Sequence, residues 1–144
     1  MEKYIVEVHS DRTVWKNEKG EVHRLNGPAI EYADGHKSWF LNDKLHREDG
    51  PAVEWANGTF WYLNGKQHRE DGPAVEWANR YKAWYLNDNL HREDGPAIEN
   101  ADGDKTWFLN GKKLSEADFN NRNKKDPCEG KVIEIAAEKL ASRA

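Results

Sequence analysis

Histidine and arginine stand side by side at His23-Arg24, His46-Arg47, His68-Arg69 and His91-Arg92. Such a pair can ligate metal, bind phosphate or pair with carboxylates. A zinc site needs three or four ligands converging on one point. One histidine per recurrence does not supply them, and the single cysteine, Cys128, adds no second thiol. Carboxylates recur in step with the cations, at Glu31, Glu54, Glu76 and Glu99 and at Asp49, Asp71 and Asp94. Charges on a part-buried surface have to be paired. The sequence is therefore read as a structural ladder of His46, His68 and His91, Arg47, Arg69 and Arg92 and the four glutamates, with no metal and no cofactor. No phosphate loop, nucleophile elbow or metal-hydrolase helix motif is present, and the carboxylates form no distinctive pair, so no enzymatic activity is expected.

Positioning these residues is the task of a repeat. Gly-Pro-Ala occurs at Gly27-Pro28-Ala29, Gly50-Pro51-Ala52, Gly72-Pro73-Ala74 and Gly95-Pro96-Ala97, at steps of 23, 22 and 23 residues. Such a period marks stacked supersecondary units. Each unit holds two strand signals, Ala-Ile/Val-Glu-Tyr/Trp-Ala and Trp-Phe/Tyr-Leu, separated by turn residues. Asn57-Gly58 suits a two-residue type I′ turn, and the extra residue at Asp34-Gly35-His36 suits a three-residue loop. That register pairs Trp55 with Phe60 and Glu54 with Trp61. It likewise pairs Glu31 with Trp39, Glu76 with Trp84 and Glu99 with Trp107. A second tight turn at Asn42-Asp43, Asn64-Gly65 and Asn87-Asp88 places His46, His68 and His91 opposite Trp39, Trp61 and Trp84.

Side chains alternate along strands, so one face carries Glu, Trp and His rows and the other carries Ile/Val, Tyr/Trp and Phe/Tyr. Trp39, Trp61, Trp84 and Trp107 are expected to be core. Tyr32, Trp55 and Trp77, with Phe40, Phe60 and Tyr85, form an aromatic stripe on a face that a single-layer sheet cannot cover, which makes it the candidate partner-binding surface. The stripe ends at Asn100. Proline after Asp-Gly cannot donate a ladder hydrogen bond, so a bulge or bend is expected there in every unit.

The expected fold is mainly β: tandem 22–23-residue hairpins in one elongated, twisted antiparallel meander, with a short C-terminal helix near 115–122 capping the sheet edge. The array spans 1–119, with a degenerate half-unit at 4–26 and units at 27–49, 50–71, 72–94 and 95–114. A polar linker and C-terminal segment occupy 120–144, in which Lys131-Val132-Ile133-Glu134-Ile135 reads as a final strand or as the start of a helix, the helix being favoured over 134–142.

Composition agrees with a thin architecture. The 144 residues are 37% hydrophobic and 33% charged, and 11% are aromatic, so a few large flat side chains carry much of the apolar surface. A net charge of −4 argues against bulk electrostatic attachment to nucleic acid or an anionic membrane. The sequence has no stretch of transmembrane length, and its opening residues lack the features of a signal peptide. A soluble cytoplasmic protein is the expectation.

A unit with Gly at one turn, aromatics in the next strand and Asn-Gly-Lys at the following turn resembles the MORN-repeat variant group, which includes antitoxin-like proteins. The likeness covers roughly residues 4–114. The repeated HREDGPA signature, ending in Asn110-Gly111-Lys112-Lys113-Leu114-Ser115-Glu116 with Phe119, departs from the usual MORN unit and is similar to repeat proteins of tailed bacteriophages. The resemblance implies a non-catalytic sheet that binds a protein, as a phage-encoded inhibitor or antitoxin-like factor acting in the host cytoplasm. Two alternatives stand beside it. One is a nucleotide or single-stranded nucleic-acid binder using aromatic stacking; the other is a structural homo-oligomer, such as a homodimer.

Overall fold

The computed structural model describes residues 3–122, so the helix expected over 134–142 lies outside the described residues. Residues up to Leu114 make one compact unit, and Ser115 begins a second.

The first unit opens with a hairpin of β1 (Ile5–Val8) and β2 (Arg12–Lys16). Four copies of a two-part motif follow. The first contains β3 (Ile30–Tyr32), β4 (Lys37–Ser38), β5 (Phe40–Leu41) and β6 (Lys44–Leu45). The second contains β7 (Val53–Trp55), β8 (Gly58–Phe60), β9 (Tyr62–Leu63) and β10 (Lys66–Gln67). The third contains β11 (Val75–Trp77), β12 (Lys82–Ala83), β13 (Tyr85–Leu86) and β14 (Asn89–Leu90). The last contains β15 (Ile98–Glu99), an unbroken β16 (Lys105–Leu109) and β17 (Lys112–Leu114).

The result is an 11-stranded antiparallel meander in the order β1-β2-β3-β4-β7-β8-β11-β12-β15-β16-β17, flanked by the two-stranded ribbons β5-β6, β9-β10 and β13-β14. The sheet is not closed into a barrel, since β1 and β17 remain its edges. The mainly β hairpin-repeat architecture expected from the sequence is thus observed. Its single sheet is divided by a bend in each inner repeat.

Each bend falls at one tryptophan. Trp39 N–H donates to the Ala52 carbonyl at 2.7 Å, while the Trp39 carbonyl accepts from His46 N–H at 3.0 Å. A single residue on one strand thus faces two residues six apart on the next, and residues 47–51 loop out of the ladder as an enlarged bulge. Trp61 does the same with Ala74 and His68, Trp84 with Ala97 and His91, and Trp15 with Ala29 and His23.

The second turn of each repeat agrees with the sequence. Positive φ at Asn42 and Asp43, Asn64 and Gly65, Asn87 and Asp88, and Asn110 and Gly111 marks type I′ geometry. Where aspartate takes the second position its strain is offset, as when Asp88 Oδ1 accepts Gln67 N–H at 2.7 Å.

The first turn corrects the sequence. Trp55 pairs with Gly58 and Glu54 with Thr59, so the loop is Ala56-Asn57. Elsewhere Glu31 pairs with Lys37, Glu76 with Lys82 and Glu99 with Lys105, two residues short of the tryptophans expected as partners. The three-residue loops are accordingly Ala33-Asp34-Gly35, Ala78-Asn79-Arg80 and Ala101-Asp102-Gly103. A slip of two leaves every side chain on its expected face, whereas a slip of one would have reversed them.

The core is made of small residues. Ala29, Ala52, Ala74 and Ala97, at the re-entry from each bulge, are 0% exposed, and Val14, Val53, Val75 and Ala83 are also buried. Trp39, Trp61, Trp84 and Trp107, expected as core, are only half-buried.

In the second unit the described element is helix α1 (Glu116–Asn121), N-capped by Ser115, whose hydroxyl accepts Asp118 N–H at 3.1 Å. Arg122 stacks on the buried Phe119 ring. The capping-box pattern therefore gives a helix where one was expected.

Candidate binding surfaces

The HREDGPA signature is a clamp, and each of its residues has a place. Arg47 lies over the Trp39 ring at 3.8 Å. Its Nε donates to Asp49 at 3.1 Å, and one terminal nitrogen donates to the Pro51 carbonyl at 3.1 Å and to Glu54 at 2.9 Å. Arg69 repeats this on Trp61 with Asp71, Pro73 and Glu76, and Arg92 on Trp84 with Asp94, Pro96 and Glu99. Arg24 stacks on Trp15 and reaches Glu31, but Asn26 stands where the aspartate would be. The hydrogen bond from Arg69 holds Asp71 below the usual carboxylate range.

The glycine gives the guanidinium room. A Cβ on Gly50, Gly72 or Gly95 would stand 2.8–2.9 Å from the arginine Cζ. The guanidinium is thereby confined between the tryptophan ring and the backbone at that glycine. The histidine links repeats: Nδ1 of His23, His46, His68 and His91 accepts the N–H of Asn42, Asn64, Asn87 and Asn110. That leaves the proton on Nε2, which faces Glu48 from His46 at 3.5 Å.

The sequence placed the ladder residues on one face, and the structure brings His, Arg, Glu and Trp39, Trp61 and Trp84 together there. Among the described residues no arginine lies on Trp107, because Ser115 stands eight residues on, where Arg47 follows Trp39. Trp15 belongs to the clamp series and was not expected. Its signal was the spacing to Arg24, close to that from Trp39 to Arg47.

On the opposite face the stripe separates into two groups. Trp55, Phe60 and Trp77 meet edge to face, with centroids 5.3, 4.8 and 6.2 Å apart. Gly58 lies beneath them: a Cβ there would meet Trp77 at 3.0 Å and Phe60 at 3.2 Å. Its smallness serves packing, and it takes no positive φ. Tyr32 joins the cluster through His36, whose ring lies 6.4 Å from Tyr32 and 6.0 Å from Trp55. Trp55 is 44% exposed. Beyond Trp77 a hollow of about 510 Å³ is lined by Trp77, Asn79, Tyr81, Asn100, Ala101 and Asp102, where Asn100 replaces the next ring. Phe40 and Tyr85 sit on β5 and β13, beyond the bends. Burial, with Tyr81 and Tyr62 nearby, raises the Tyr85 phenol above its usual range.

Among the described residues no group of three or more His, Cys, Asp or Glu is placed to hold a metal ion. No described helix is long and apolar enough to cross a membrane. Comparison with protein-family models, with curated proteins and with solved structures gives no match.

Proposed function

We propose that this chain is a non-catalytic repeat module that binds a protein partner through the aromatic cluster of Trp55, Phe60 and Trp77. The observation that supports this reading is the cluster's placement. Three rings lock one another on a face of the sheet, the outermost stays 44% exposed, and a hollow opens beside it. Rigid aromatic area loses little conformational entropy on binding, which is why tryptophan so often anchors interfaces. The role of a phage-encoded inhibitor or antitoxin-like factor in a host cytoplasm rests on the sequence resemblance alone.

A double variant, Trp55→Ser with Trp77→Ser, removes the anchor without touching the arginine clamps. It is expected to melt cooperatively, at a lower temperature than the parent but folded under the conditions of capture, and to lose the protein that the parent enriches from host lysate. A folded double variant that still captures that protein would reject the surface. Conversion of a dimer to a monomer, seen by light scattering, would assign the cluster to self-association instead.

A further inference from the structure

The clamp face carries three equivalent clefts between successive HRED loops. One is lined by the loop from Arg24 to Pro28, Trp39, Leu41 and His46. The next is lined by Trp61, Leu63 and His68, and the third by Trp84, Leu86 and His91. Their volumes are about 620, 460 and 630 Å³. Each has a floor of one half-buried tryptophan and one leucine and a rim of loop carboxylates.

The charge that these clefts present outward is negative. Side chains of Glu48, Asp49, Glu70, Asp71, Glu93 and Asp94 are between 79% and 87% exposed. The arginines beside them are only 21% to 23% exposed, with one flat side on tryptophan and their nitrogens donated to carboxylates and a carbonyl. A phosphate would have to displace those carboxylates, whereas a cation meets exposed ones at the rim and an aromatic floor within.

The spacing is also set. Each repeat adds two strands to the sheet, so equivalent clefts recur at roughly 9.5 Å, twice the distance between neighbouring strands. A polyproline II segment advances about 9.3 Å per three-residue turn. Every third side chain of such a segment therefore returns to the same side in step with the clefts.

We propose that the HRED clefts are a ladder for a linear basic segment of a partner protein in polyproline II form, with lysine or arginine at every third residue. Each cation sits on a tryptophan-leucine floor, between two carboxylate-bearing loops in the second and third clefts and against the Glu48-Asp49 loop alone in the first. This site lies on the face opposite the aromatic cluster and does not depend on it.

The test titrates the full chain with two fluorescent peptides of equal composition, one with three lysines at every third residue and one with them at every second, reading anisotropy at low and moderate salt. The expected result is at least a fivefold preference for the period-three peptide and weaker binding as salt rises. Glu48→Lys/Glu70→Lys/Glu93→Lys should lose at least tenfold, and Glu48→Gln/Glu70→Gln/Glu93→Gln should lose binding in part. Trp55→Ser/Trp77→Ser should bind the peptide as the parent does, which separates failure of this site from failure of the aromatic one. No binding, equal affinity for both spacings, an unaffected Glu→Lys variant, or a preference for a thymidine oligonucleotide over both peptides would overturn the proposal.

Discussion

The three inner repeats and the last one differ at a single structural point. At Trp39, Trp61 and Trp84 the strand breaks into two, whereas β16 passes through Trp107 without interruption. The tryptophan, the following aromatic and leucine, and the type I′ turn are present in both. What the last repeat lacks is the His-Arg-Glu-Asp-Gly-Pro-Ala segment after its ribbon: Leu114 and Ser115 stand in place of His and Arg. The tryptophan therefore does not cause the bend. The looped-out segment that follows goes with it: its alanine and histidine take the two bonding groups of one tryptophan and its arginine lies on that ring, and only at Trp15, where β2 also pairs with β1 through Lys16, does the strand stay whole under the same contacts.

This comparison predicts unequal consequences for the same substitution. Trp61→Ala removes a half-buried ring together with the seat of Arg69 and is expected to cost about 2–3 kcal/mol. Trp107→Ala, with no arginine on the ring among the described residues, is expected to cost roughly half as much. Chemical denaturation of the two variants gives the difference directly, and equal losses would mean that the stack contributes nothing. A smaller and opposite effect is expected where the inner repeats differ among themselves. Arg80 takes φ 77° at the loop position held by Gly35 and Gly103 elsewhere. Arg80→Gly should therefore stabilise the protein by about 0.5–1 kcal/mol, read as a higher melting temperature. A lower one would show that the Arg80 side chain makes a contact that outweighs its backbone strain.

Much of this was legible in the residues. The period, the Asn-Asp and Asn-Gly turns, the His46–Trp39 type of pairing and the division of side chains between faces all follow from spacing and alternation. The first turn was misplaced because Asn57-Gly58 carries the usual hairpin signal, while Gly58 is small for another reason: Trp77 and Phe60 lean over it. The expectation that Trp39, Trp61 and Trp84 form the core failed for a related cause. Alternation shows which face a ring occupies, but it does not show that an arginine eight residues later will lie on that ring and leave alanine and valine as the buried seam. The likeness among HREDGPA copies announced a repeated contact, and the glycine's part in it became visible only with the guanidinium in place. On the other face, the grouping of Trp55, Phe60 and Trp77 and the position of the hollow by Asn100 depend on the true register, which the turn signal had obscured.

The central claim is that each HREDGPA segment is a clamp in which glycine exists to admit the arginine. It is tested most directly by a double-mutant cycle on Arg69 and Gly72, measured by equilibrium unfolding. Gly72→Ala in the parent places a methyl group 2.8 Å from Arg69 Cζ and is expected to destabilise by about 1–2 kcal/mol. In the Arg69→Ala background the same change should be neutral or slightly stabilising, since the methyl then meets no guanidinium and alanine restricts the unfolded chain. If Gly72→Ala costs the same with and without Arg69, the glycine serves the backbone alone and the clamp account is wrong.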